Sequence, residues 1–180
     1  MTRWLLLLLG GTLLGGIVHL TTMLILPRTA TQDAYARLSE VATEVNKMVP
    51  VPPATPQRST IPFTDPAFAV AVCRYDLSAA PIKFTAPVSV AYTSVSFYTR
   101  SGVAYYAIND RAAGRRVIEL NLMTTQQRED LPEEEDVTAA DRLIVESPTE
   151  IGLIVLRAFA PEPGMMPMVR NTVAAARCGS

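Results

Sequence analysis

Few side chains in this 180-residue chain are suited to acid–base or nucleophilic chemistry. The single histidine, His19, lies within an apolar run. There it cannot serve a water-facing site as base or ligand, which removes Ser-His-Asp triads and most zinc sites. Neither lysine, Lys47 or Lys83, sits in a setting that points to a Ser-Lys dyad. The chain has no G-x-S-x-G elbow, no phosphate-cradling glycine loop and no C-x-x-C. No catalytic residue, metal site or cofactor is therefore expected. Paired carboxylates stay open as a route to catalysis, because such pairs meet only in three dimensions.

Three clusters could carry function without that chemistry. Tyr98, Arg100, Tyr105, Tyr106, Asn109, Asp110, Arg111, Arg115 and Arg116 surround one short stretch. Arginine forks among aromatic rings suit an acidic ligand or partner. Tyr98, Arg100, Tyr106, Asn109, Asp110 and Arg111 are the candidate contact residues. In the structural alternative, Asn109-Asp110-Arg111 caps a turn and pairs charges at a sheet end. Glu129 to Asp136 holds six acids in eight residues but lacks the spaced ligands and glycine of a calcium loop, so it reads as a solvated loop. Met165, Met166 and Met168 around Pro167 read as core filler under a last helix.

The elements that position these residues begin with the leader. Trp4 to Leu26 is 23 residues without a formal charge, between Arg3 and Pro27-Arg28. At ~1.5 Å per residue such a helix covers the roughly 30 Å hydrocarbon core of a bilayer. The rival is a cleaved signal peptide. The run is longer than the roughly 7–15 residues of a signal core, and the nearest small-x-small pair, Ala34 and Ala36, lies well beyond it. A retained single-pass anchor over residues 1–28 is the expectation. Thr12, Gly15, His19 and Thr22 stack on one helical face with Gly11 on its flank, which suits a partner helix. The plainer reading is that Gly and Thr are common in membrane helices. Arg3 on one side and Arg28 and Arg37 on the other leave the positive-inside bias nearly silent. A net charge of −1 offers no basic face for nucleic acid.

Residues 29–66 read as an amphipathic stalk helix and a strap. Tyr35, Leu38, Val41 or Ala42, Val45 and Met48 recur at helical spacing across Asp33 to Met48. Six prolines between Pro50 and Pro66 exclude helix and central strand there, with Phe63 expected to tuck into the core edge. Residues 67–180 read as a β domain. Strand signals cover Ala67 to Tyr75, Tyr92 to Tyr98, Val103 to Ile108, Val117 to Leu122, Leu143 to Glu146 and Ile151 to Phe159. Arg100-Ser101-Gly102 is the turn of a hairpin, and Pro167 to Arg177 is a final helix. The fold class is thus mainly β: a β-sandwich or jelly-roll-like domain with an N-terminal transmembrane helix, a stalk helix and a C-terminal helix. Cys73 and Cys178 are the only cysteines. Outside a membrane anchor, a lone pair suits one disulfide in an oxidising compartment; two separate buried thiols are the alternative.

Phe63-Thr64-Asp65-Pro66-Ala67-Phe68, Val72-Cys73-Arg74-Tyr75-Asp76-Leu77, Tyr92 to Tyr98 and Tyr105 to Arg111 together resemble the DUF1254 family, a bacterial family of unknown function. The chain is similar to its short, membrane-anchored alphaproteobacterial members. That resemblance implies a β-rich fold and a DUF1214-type membrane partner, and it carries over no catalytic residues. The expected protein is a bacterial inner-membrane, single-pass protein with a periplasmic domain, a non-enzymatic envelope interaction or assembly module. The alternative is a small-ligand or enzymatic domain built on the Tyr/Arg/Asn/Asp cluster.

Overall fold

The computed structural model describes residues 2–29, 33–55, 59–62, 64–113, 116–130 and 143–179. Phe63, Arg115 and the part of the acidic run from 131 to 136 lie outside them. The chain divides into two compact units, Met1–Asp33 and Ala34–Ser180.

The first unit is the helix α1, Thr2–Thr29. Its Thr2–Leu26 portion is long and apolar enough to cross a membrane, fitting an anchor or a signal sequence. Thr12 and Thr22 each donate their hydroxyl to the carbonyl four residues back, on Leu8 at 2.9 Å and Val18 at 2.8 Å. Those hydroxyls therefore need no neighbour to satisfy their donors in an apolar medium.

In the second unit the helical spacing of residues 33–48 does not yield one helix. Only α2, Ala34–Ser39, forms, and Met48–Pro50 is a strand, β1. Tertiary pairing outweighs a weakly favoured helix here. Asn46, at φ 56°, turns the chain, and its main-chain N–H donates to the Arg74 carbonyl. The Asn46 side chain also bridges both main-chain groups of Asp76. The apolar positions still face inward: Leu38 and Ala42 pack on Val72, Leu153 and Val155.

The remaining strands are β2 (Phe68–Asp76), β3 (Ile82–Pro87), β4 (Tyr92–Thr99), β5 (Ala104–Asn109), β6 (Val117–Thr124), β7 (Leu143–Ser147), β8 (Ile151–Phe159) and β9 (Arg177–Gly179). Short helices α3 (Asp110–Ala113) and α4 (Thr125–Glu129) follow β5 and β6, and α5 is Met166–Ala174. A five-stranded antiparallel sheet runs β1-β2-β8-β4-β5, and a four-stranded sheet runs β7-β6-β3-β9 with β6 and β7 parallel. The sheets face each other across one core: Cys73, Tyr75, Val95, Phe97, Ile154 and Leu156 meet Phe84, Leu120, Leu122 and Cys178. Alternation in β4 explains its face, with Val95 and Phe97 inward and Ser94 and Ser96 outward. The apolar run of β8 is that of a strand buried on both faces, since Leu153 and Val155 pack beneath α2.

Cys73 and Cys178 form a disulfide with Cα atoms 6.4 Å apart. Cys178 lies on β9 rather than at the end of the final helix, because α5 stops at Ala174 and the chain pairs with β3. The bridge therefore joins the two sheets. Met165 and Met166 pack against the core as filler, but Met168 points to solvent, 46% exposed.

Candidate functional site

The hairpin of β4 and β5 carries most of the cluster singled out by residue type. Gly102, at φ 82°, makes its turn, and the Thr99 and Val103 main chains pair across it. A β-bulge then changes what the tyrosines do. Phe97 pairs with Tyr106, whereas Tyr98 pairs with Ala104, so Tyr105 is the extra residue. Both Tyr105 and Tyr106 rest on the Phe97 ring, with centroids 6.2 and 5.8 Å away. Tyr106 is thereby a half-buried packing residue.

Tyr98 and Arg100 belong to the opposite face. Tyr98 packs on the cluster of Leu38, Val72 and Leu153, and the Arg100 guanidinium stacks 4.1 Å over the Tyr35 ring. Asn109 and Asp110 sit at the far end of the hairpin. The Asn109 Oδ1 accepts from the Ala112 N–H at 3.0 Å, and Asp110 Oδ1 accepts from the Thr93 N–H at 3.3 Å. Arg111 is exposed on α3. Ser94 pairs with Asn109 and Tyr98 with Ala104, which separates the two groups by roughly 13 Å along the strands. The six residues therefore line one hairpin without converging on one cavity.

A buried hydroxyl chain that residue types did not announce lies behind the bulge. Tyr105 Oη donates to Tyr75 Oη at 3.1 Å, which lies 2.9 Å from Ser147 Oγ. Ser147 Oγ in turn donates to the Thr149 carbonyl at 2.6 Å. Each hydroxyl has one proton to give, so the direction runs from Tyr105 to Tyr75 to Ser147. Burial pushes the Tyr105 phenol well above its ordinary value, which keeps it neutral. The chain ties β2 and β5 to β7 of the other sheet. It fits only because residue 152 is glycine: a Cβ there would stand 2.2 Å from the Tyr98 carbonyl and 2.4 Å from Tyr75 Oη. The signal in the sequence was a glycine inside an apolar strand, which marks close approach.

A cleft of about 470 Å³ opens elsewhere, between the proline-rich strap, the start of β2 and the outer side of α5. None of the hairpin residues lines it.

Two sheets closed over one core, preceded in the sequence by a helix long and apolar enough for a membrane anchor or a signal sequence, define a mainly β protein of the sandwich class. The family described as "Protein of unknown function (DUF1254)" matches residues 45–179, and the chain belongs to it. No curated protein matches the sequence. Among solved structures, the VPA0106 protein of Vibrio parahaemolyticus aligns with a TM-score of 0.60 at 12% identity, over 83% of this chain and 34% of that one. A putative uncharacterized protein from Burkholderia cenocepacia aligns with a TM-score of 0.46 at 14% identity, over 73% of this chain and 37% of that one. This chain thus spans about a third of the length of either.

Proposed function

We propose that this protein is a non-enzymatic interaction module of the bacterial cell envelope. In this reading α1 is retained as a single span of the inner membrane and the sandwich lies in the periplasm. A DUF1214-type membrane protein docks on the β4–β5 hairpin. The observation that carries it is the edge itself. Among the described residues nothing pairs with the outer side of β5, and its six residues include no proline and no charge. An uncharged free edge offers main-chain donors and acceptors for strand addition by a partner.

Support for the compartment comes from the inter-sheet disulfide, a bond that persists in oxidising spaces. The Gly11, Thr12, Gly15, His19 and Thr22 face of α1 would meet the partner's own helix, or that of a second copy, through close approach at the glycines.

Co-expression of the full chain with a DUF1214-type membrane protein, followed by purification in mild detergent, tests this reading. Recovery of both at fixed ratio is expected, with a photo-crosslinker at Ala107 joining them. A clean monomer would overturn it. Gly15→Leu with His19→Leu is expected to weaken recovery without unfolding the sandwich.

A further inference from the structure

The cleft beside α5 is distant in function from the hairpin edge and has a different chemistry. Its floor is apolar, from Val51, Ile61, Phe68, Val70 and Val173. One wall is the strap, where Pro50, Pro52 and Pro53 hold the backbone extended. A wall that has little conformational freedom to lose binds at low entropic cost. The volume of about 470 Å³ lies in the range that encloses small molecules.

Polar side chains line it too, among them Ser59, Thr60 and Thr64 of the strap. Arg170 and Asn171 come from one turn of α5, and Asp65 comes from the strap. Asp65 is already engaged, its Oδ1 accepting the Ala67 N–H at 2.9 Å to hold the entry into β2. Arg170 is exposed and makes no ion pair with any described residue. Its planar fork matches a carboxylate bidentately.

We infer that this cleft binds a small carboxylate with an apolar body, the body on Phe68 and Val70 and the carboxylate on Arg170. Val173 belongs to the core and to the cleft floor, and Arg170, Asn171 and Ala174 line the cleft beside it, so α5 both seals the sandwich and presents the head-group site.

Calorimetric titration of the full chain in lipid nanodiscs, with empty nanodiscs subtracted, tests this with three probes of one body: phenylbutyrate, phenylbutanol and phenylbutylamine. Phenylbutyrate is expected to saturate a single site and to bind about tenfold more tightly than the alcohol. Arg170→Gln, at an exposed position, should lower phenylbutyrate affinity about tenfold and leave the alcohol unchanged. Ala174→Trp should fill the cleft and remove both, with an unchanged far-UV circular dichroism spectrum and urea midpoint showing that the fold persists. Absence of saturable phenylbutyrate binding would overturn the inference. So would tighter binding of the amine, which would assign the rim to Asp65, or indifference to Arg170→Gln.

Discussion

β1 and β5 close the same five-stranded sheet on opposite sides and do so by opposite means. β1 is three residues long, carries Pro50, is followed by Pro52 and Pro53, and has α5 against it. β5 has six residues without proline or charge, and its one irregularity is the bulge at Tyr105. Proline withholds a ladder donor, so the first edge cannot accept another strand, whereas the second still can. The bulge turns two tyrosines inward and so binds β5 firmly to the core, while no described residue pairs with its outer edge. An edge that is well anchored but unsealed is what a docking strand requires.

The largest test of that contrast is anchoring. Phe97→Ala removes the ring under both tyrosines and should cost roughly 3–5 kcal/mol in urea unfolding. Val49→Ala on the other edge, where the side chain is half-buried, should cost only about 1 kcal/mol. A larger loss from Val49 would reverse the comparison. Next is the bridge beside β1. Replacing Cys73 and Cys178 together by Ala should cost about 2–4 kcal/mol, and reductant should lower the wild-type urea midpoint but not the variant's.

A smaller effect is expected at the bulge. Tyr105→Phe removes one buried donor, worth about 1 kcal/mol at neutral pH. The pH dependence has a definite sign. Burial raises the folded-state pKa of Tyr105, so above tyrosine's ordinary value of about 10 the unfolded chain loses a proton that the folded chain keeps. Stability is therefore fully present below pH of about 10 and declines as pH rises beyond it. Urea midpoints measured on both sides of that value should fall more gently in Tyr105→Phe. The smallest stability change belongs to Ala107→Lys, an exposed site, at within about 0.5 kcal/mol. That variant should nonetheless lose the co-purifying partner, while Pro53→Lys on the sealed edge should keep it.

The legible parts of the fold share a property: each is written in neighbouring residues. Alternation placed Val95 and Phe97 inward, Gly102 marked the hairpin turn, and an uncharged run marked α1. The stalk departs from a single helix because Leu38 and Ala42 satisfy helical spacing and sheet-covering equally well, and pairing of Met48–Pro50 with β2 decides between them. The candidate site was legible as a hairpin and illegible as a face. One extra residue at Tyr105 moves Tyr106 inward, and nothing local announces it.

Residue order alone thus determined the long apolar helix, most strands and the inward side of each, because those follow from periodicities of two or 3.6 residues. Only the tertiary structure decided which strands stand at the edges, that Cys73 and Cys178 join opposite sheets, and that Tyr75, Tyr105 and Ser147 share one hydrogen-bonded chain. These depend on pairings between segments far apart in the chain, whose energies exist only once both partners are buried together.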